Sequence, residues 1–320
     1  MTVRFGILGA GNIARKLAAA VGACEEAELA AVAARDLSRA EAFCRENGGR
    51  KAYGSYDELL NDPEIDAVYI ALPNELHLPY AIQAMEHGKA VLSEKPFAAT
   101  RAEAAEGVEA ARRTGALFME AMWTRWLPPV QQAKRWLDEG RIGKPLLADL
   151  AFTFAGEATR RDPRYHPELD GGSLMDVGCY CLSTIQYFAG ERPAKVCGVL
   201  KTGALGVDEV GTGSLLFPSG LVASIGFGMQ VRSNGDFWIY GEKGKILLRE
   251  FWGCRDARCY DADGNEVDRC TDEETNGFVY EVRELCRLLR EGKKESPFMT
   301  WQDTIDVAES IERLRASFTA

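Results

Sequence analysis

Near the start of the chain, Gly9-Ala10-Gly11-Asn12-Ile13-Ala14 has the spacing G-x-G-x-x-A. Its chemistry belongs to the backbone. The first glycine permits a tight turn after a strand, and the second lets the main chain approach a pyrophosphate. The small Ala14 lets the following helix pack closely, with its N-terminal amides facing the anion. Gly9, Gly11, Asn12 and Ile13 are therefore candidate dinucleotide contacts. The end of the next strand selects the nucleotide. An acidic residue there would grip a ribose 2′-hydroxyl, but the chain reads Ala33-Ala34-Arg35-Asp36-Leu37-Ser38-Arg39. Ala34 cannot bond a ribose, whereas Arg35, Ser38 and Arg39 can surround a 2′-phosphate through charge-assisted bonds. This favours NADP over NAD; the rival reading leaves both arginines in solvent and turns Asp36 to the ribose. Much later, Asp176 and Tyr180 stand four residues apart, so on a helix they share a side.

The elements that must position these residues fall into two grammars. Up to about residue 120, apolar runs at Val3–Leu8, Leu29–Ala34, Ala67–Leu72, Lys89–Ser93 and Leu117–Met122 alternate with helical patterns. Several runs are apolar on both faces, as parallel strands covered by helices on each side are. Ser38-x-x-Glu41 reads as a capping box. The alternation predicts a doubly wound parallel sheet. After Pro128-Pro129 the strand candidates lengthen and follow one another through turn signals such as Pro218-Ser219-Gly220, which argues antiparallel pairing. Gly171-Gly172 precedes a helical run over Leu174–Phe188, and two helices near Phe278–Glu291 and Thr300–Phe318 close the chain. The expected division is a dinucleotide-binding domain over 1–121 and an α/β domain with a large, open, mostly antiparallel sheet over 122–320.

Composition narrows the class. A chain of 320 residues exceeds the roughly 250–300 at which one core stops growing, so two domains are expected. A formal net charge of −10 disfavours nucleic acid or an anionic membrane as the main partner. The start of the chain enters a strand pattern at once and shows no leader of signal-peptide type. Nine cysteines with no C-x-x-C pair suggest neither a zinc site nor a disulfide framework, and reduced thiols fit a cytoplasmic protein. With three histidines and no H-E-x-x-H, no metal is expected.

Gly9-x-Gly-x-x-Ala14, Glu94-Lys95-Pro96 and Gly171-Gly172-x-x-x-Asp176-x-Gly178-x-Tyr180 together resemble the Gfo/Idh/MocA oxidoreductases, nearly end to end. Ala34–Arg39, Ala52–Tyr56 and Met119–Arg125 look most like the branch of dimeric trans-dihydrodiol dehydrogenases and NADP-dependent D-xylose 1-dehydrogenases. The resemblance implies a Rossmann domain, a second domain whose sheet carries a homodimer contact, and a cis Lys95–Pro96 bond at the nicotinamide. It implies nucleotide contacts at Leu72, Asn74, His77, Glu94, Lys95, Pro96 and Trp123, and a small sugar or diol as substrate. Substrate contacts would come from Lys95, Trp123, Asp176, Tyr180 and Trp252. A free Tyr has a pKa of about 10, and an adjacent lysine ammonium would lower it, making Tyr180 and Lys95 an acid/base pair. Asp176 would hold a neighbouring substrate hydroxyl or orient Lys95. Each residue has a plainer reading: Lys95 a strand-end charge, Tyr180 a core ring, Asp176 a structural carboxylate, His77 a local cap, Trp123 core packing, Trp252 a buried edge. The resemblance also admits a catalytically silent dinucleotide sensor, or a redox-neutral glycosidase or epimerase.

Overall fold

The computed structural model describes residues 2–159 and 162–318. Contacts divide the chain into two compact units, Met1–Trp123 with Asn276–Ile305, and Thr124–Thr275 with Asp306–Ala320.

The first unit is built on a six-stranded sheet. Its elements run β1 (Val3–Leu8), α1 (Asn12–Gly22), β2 (Ala27–Ala33), α2 (Leu37–Asn47), β3 (Lys51–Tyr53), α3 (Tyr56–Leu60), β4 (Ala67–Ile70), α4 (His77–Glu86), β5 (Ala90–Glu94), α5 (Arg101–Thr114) and β6 (Phe118–Ala121). The strand order is β3-β2-β1-β4-β5-β6, with every pairing parallel, which is the expected doubly wound Rossmann sheet. Strands β4, β5 and β6 are buried throughout, as strands covered on both faces must be. β3 is three residues long and went unpredicted. The expected Ser38-x-x-Glu41 capping box is not what starts α2: Asp36 is the N-cap, and its carboxylate accepts from the Ser38 amide at 2.9 Å. A capping box does form at α5, between Thr100 and Glu103.

The second unit contains α6 (Pro128–Asp138), β7 (Pro145–Thr153), a single π turn over Leu174–Gly178 that runs into α7 (Cys179–Ala189), and β8 (Lys195–Thr202), β9 (Asp208–Leu216), β10 (Val222–Gly228), β11 (Phe237–Gly241), β12 (Gly244–Leu248), β13 (Asp256–Asp261) and β14 (Glu266–Thr271). The eight strands order as β14-β13-β12-β11-β7-β10-β9-β8. β7 and β10 are parallel and all other pairs antiparallel, so the sheet is the large, mostly antiparallel one expected. One face is buried through residues such as Ala148, Ala223, Ile225, Phe237 and Ile239. The other presents Leu147, Val222, Trp238, Tyr240 and Tyr260, with Leu147 48% and Val222 45% exposed.

The chain then returns to the first unit. α8 (Phe278–Arg290) packs on α1 and β2, and the Phe118 amide donates to the Lys294 carbonyl at 3.0 Å. The last helix, α9 (Trp301–Ser317), begins in the first unit and ends in the second. The first unit thus takes Asn276–Ile305 from late in the chain, where the apolar stripe of α8 packs on the flank of α1. No helix among the described residues is long and apolar enough to cross a membrane.

Candidate active site

In the first unit, the turn after β1 has the geometry its glycines require. Gly9 has φ +103°, and a Cβ on it would lie 2.4 Å from the Ala71 carbonyl oxygen, so no other residue fits. Gly11 is the N-cap of α1, and a Cβ on it would meet nothing within 4 Å. Open space therefore lies before the N-terminus of an eleven-residue helix, where anions are stabilised. Asn12 is exposed and Ile13 half-buried there, while Ala14 is fully buried. The residues and the cradle fit a dinucleotide pyrophosphate.

At the end of β2, Asp36 is committed to its own helix: besides the Ser38 amide, it accepts from the Ser38 hydroxyl at 2.7 Å. Arg35 and Arg39 are exposed, with no salt bridge among the described residues. Burial pushes the Tyr56 hydroxyl pKa up, and the charges of Arg35 and Arg39 oppose that rise. The strand end offers two cations and no spare carboxylate.

The third part of this edge is the Leu72–Pro96 corner. Lys95–Pro96 is a cis peptide, as expected. His77 opens α4 at 1% exposure and bridges the corner, its ring nitrogens each 2.8 Å from a carbonyl oxygen, of Pro96 and of Leu72. A charged ring would donate to both, but burial outweighs those carbonyls and draws its pKa down to about 4. His77 thus shapes the corner, its nitrogens engaged by main-chain carbonyls. Asn74 begins the short 3-10 turn over Asn74–Leu76 in the same loop. Glu94, 6% exposed, accepts from the Tyr69 hydroxyl and from the Lys95 amide at 3.2 Å. Trp123 is half-buried and stacks on Phe278 with ring centroids 5.1 Å apart.

In the second unit, Asp176 lies in the π turn and Tyr180 in the first turn of α7. Tyr180 is 7% exposed and meets Phe152 edge to face at 5.4 Å; Phe152 in turn stacks flat on Trp252 at 4.0 Å. The Trp252 carbonyl accepts from the Thr124 hydroxyl at 2.6 Å. Asp176 has an ion pair with Arg164 at 3.6 Å, and Arg164 is clamped by Asp162 and lies 4.9 Å over the Phe154 ring. Gly171 and Gly172 explain themselves here. A Cβ on Gly171 would lie 2.5 Å from the Arg164 carbonyl, and one on Gly172 (φ +117°) 2.2 Å from an Asp208 carboxylate oxygen. Asp208 reaches from β9 to accept from the Ser173 hydroxyl at 2.7 Å and the Leu174 amide at 2.6 Å, tying down the helix start.

Comparison with known proteins matches the chain in two consecutive parts. The oxidoreductase family with an NAD-binding Rossmann fold matches residues 3–122, and the GFO/IDH/MocA C-terminal domain matches residues 130–247. The chain belongs to the Gfo/Idh/MocA family. This family member is 32% identical over 324 residues to trans-1,2-dihydrobenzene-1,2-diol dehydrogenase of Mus musculus, across 98% of this chain and 96% of that one. It is similar in structure to KijD10, a 3-ketoreductase from Actinomadura kijaniata solved with NADP and TDP-benzene, at TM-score 0.90 and 26% identity over 99% and 98% of the two chains. It is also similar to the aldose-aldose oxidoreductase of Caulobacter crescentus solved with glycerol, at TM-score 0.89 and 25% identity over 99% and 97%. It is an NAD(P)-binding oxidoreductase acting on CH–OH groups.

Sequence reasoning about this Gfo/Idh/MocA protein missed Phe152 and Arg164. Phe152 hides in a strand whose pattern any apolar residue would satisfy. Arg164 sits in an unpatterned loop, and its partner Asp176 is known only once the loop folds back. Cys179 and Cys181, beside Tyr180, are buried packing residues, and burial raises the Cys181 pKa.

Proposed function

We propose that this protein is an NADP(H)-dependent oxidoreductase of a polyhydroxylated small molecule, either an aldose or a trans-dihydrodiol, with Tyr180 as acid/base and Lys95 as its cationic neighbour. When bound, the nicotinamide supplies the hydride acceptor. Tyr180 Oη takes the proton of the reacting hydroxyl, and the Lys95 ammonium favours the phenolate that makes this possible at neutral pH. Asp176, oriented by Arg164, accepts a hydrogen bond from a neighbouring hydroxyl. The Phe152–Trp252 stack offers a flat apolar wall beside Tyr180, suited to the C–H face of a sugar ring or an unsaturated diol ring. Arg35 and Arg39 hold the 2′-phosphate.

The observation that carries this reading is Tyr180 set edge-on to the Phe152–Trp252 stack, with Asp176 four residues before it held by Arg164, a set that a silent sensor has no chemical need to keep. NADP is favoured because Asp36 is engaged as a cap while neither Arg35 nor Arg39 forms a salt bridge among the described residues. The relatives' names, a dihydrodiol dehydrogenase and an aldose oxidoreductase, supply the two substrate classes. The exposed face of the eight-stranded sheet, with Leu147, Val222 and Trp238, is the proposed homodimer contact.

The test is NADP⁺ and NAD⁺ reduction with a panel of aldoses, polyols and dihydrodiols. Tyr180→Phe is expected to lose about 100-fold in turnover, the range general acid–base catalysis supplies, with NADP⁺ affinity kept. Dinucleotide binding without net reduction on any member would favour a sensor or a redox-neutral cycle.

A further inference from the structure

Asp176 and Tyr180 sit where one helical spacing gives way to another. The π turn over Leu174–Gly178 closes with the Cys179 amide on the Leu174 carbonyl, five residues back, and α7 then continues with ordinary spacing. Such a turn takes up one residue more than an α turn. The place of the first turn of α7 therefore depends on what holds the segment at either end. Before it stands Asp208, which accepts from the Ser173 hydroxyl and the Leu174 amide. After it stands Arg125, at the start of the second unit and only 1% exposed. Its Nε donates to the Ser183 hydroxyl at 2.9 Å, and a terminal nitrogen donates to the Ser183 carbonyl at 3.0 Å. The guanidinium carbon also lies 5.1 Å from the centre of the Tyr187 ring. Tyr180, Ser183 and Tyr187 share one face of α7 by their spacing of i, i+3 and i+7, so Arg125 lies along the row that Tyr180 begins.

Burying a guanidinium is costly, and an apolar side chain would fill the space without that cost. What the planar fork adds is direction: it grips the side chain and the main chain of one residue at once. Thr124, the residue before it, donates to the Trp252 carbonyl at 2.6 Å, Trp252 stacks on Phe152, and Phe152 meets Tyr180 edge to face. The contacts thus close into a ring that runs from Thr124 through Trp252, Phe152 and Tyr180 to Ser183 and back to Arg125. From this ring we infer that Arg125 is a positioning residue for Tyr180: it fixes α7 through Ser183 and so sets how Tyr180 stands against the Phe152–Trp252 wall. Arg125 acts through the helix and has no part in the proton transfer itself. The effect on turnover rests on the proposed role of Tyr180, while the hold on α7 is testable without turnover.

The experiment compares wild type, Arg125→Lys and Ser183→Ala by steady-state kinetics and by hydrogen exchange followed by mass spectrometry. Arg125→Lys keeps the charge but loses the fork. Its kcat for NADP⁺ reduction should fall about tenfold, with substrate KM and NADP⁺ affinity within about twofold, because a small displacement of a reacting group is paid in rate. The amides of α7 should exchange about tenfold faster, while those of β9 in the same unit keep the wild-type rate, as a local opening requires. Ser183→Ala leaves the main-chain bond in place, so its kcat should fall less, by about threefold, with the same locality of exchange. A folded Arg125→Lys enzyme with the wild-type kcat would overturn the inference. Exchange raised as much in β9 as in α7 would do so too, since that is a loss of stability and not of position. A lower kcat with unchanged exchange in α7 would equally overturn it, because the effect would then not pass through the helix. Should Arg125→Lys fail to fold, Ser183→Ala decides by the same two readings, and wild-type values of both would overturn the inference. If the wild type turned over no diol or sugar, the proposed function would fall, and exchange in α7 would then decide the hold of Arg125 by itself.

Discussion

Gly172→Ala should be among the most damaging single-methyl changes in this protein. Gly172 has φ +117°, and the new Cβ would sit 2.2 Å from Oδ1 of Asp208 and 3.0 Å from its Cγ. The strained backbone costs about 1–3 kcal/mol. The carboxylate must also move, and its other oxygen accepts the bonds from the Ser173 hydroxyl and the Leu174 amide. Hydrogen bonds to a charged group contribute about 1.5–3 kcal/mol each, so losing both removes about 3–6 kcal/mol. The total, about 4–9 kcal/mol, is a large part of the about 5–15 kcal/mol that holds a typical protein folded. In an Asp208→Ala background those bonds and the clash are already gone, and Gly172→Ala should add only the backbone term of about 1–3 kcal/mol. Urea unfolding of the four proteins, followed by tryptophan fluorescence, measures the coupling. The Asp176 amide donates to the Gly172 carbonyl at 3.0 Å, so the single variant should also lose turnover before it loses NADP⁺ affinity. Equal cost of the methyl in both backgrounds would refute the account.

Three further outcomes are expected. Arg35→Ala should weaken NADPH at least tenfold while leaving NADH within about twofold, measured by fluorescence titration at fixed salt; equal losses would remove Arg35 from the 2′-phosphate. His77 has a folded pKa of about 4 against about 6.5 unfolded. The unfolded chain thus binds the extra proton between these values, and His77 contributes stability that is full above pH 6.5 and is lost as pH falls towards 4, about 3 kcal/mol in all. Urea midpoints at pH 7.5 and 4.5 should draw together in His77→Gln, and an unchanged difference would show that another group sets the slope. If the proposed homodimer forms through the exposed sheet face, Leu147→Asp should convert it to a monomer by sedimentation without loss of fold, and an unchanged mass would move the contact elsewhere.

What the sequence disclosed was whatever depends on neighbours along the chain. The Gly9–Ala14 turn, the helix it opens and the two arginines after β2 are all set within a few residues, and each was readable. β3 is three residues long, too short to carry a periodic signal, and β14 alternates between exposed and half-exposed positions, so neither announces itself. Asp36 displaced Ser38 as the cap of α2 because its carboxylate reaches the amide two residues on, a competition that residue preference alone does not decide. Phe152 acquires meaning only through Trp252, far from it in sequence, and Arg164 only once its unpatterned loop folds back on Asp176.

The return of α8 to the first unit also sets an order of events during synthesis. The flank of α1 waits for Phe278, Val282 and Leu285, which leave the ribosome after the uninterrupted stretch Thr124–Thr275. At about 5–20 residues per second that stretch takes roughly 8–30 s. Through that interval the nascent nucleotide fold carries a bare apolar seam that a chaperone would have to shield. A fragment ending at Trp123 would keep the seam for good, so the segment translated first waits through the main stretch of the other unit before its own unit is complete.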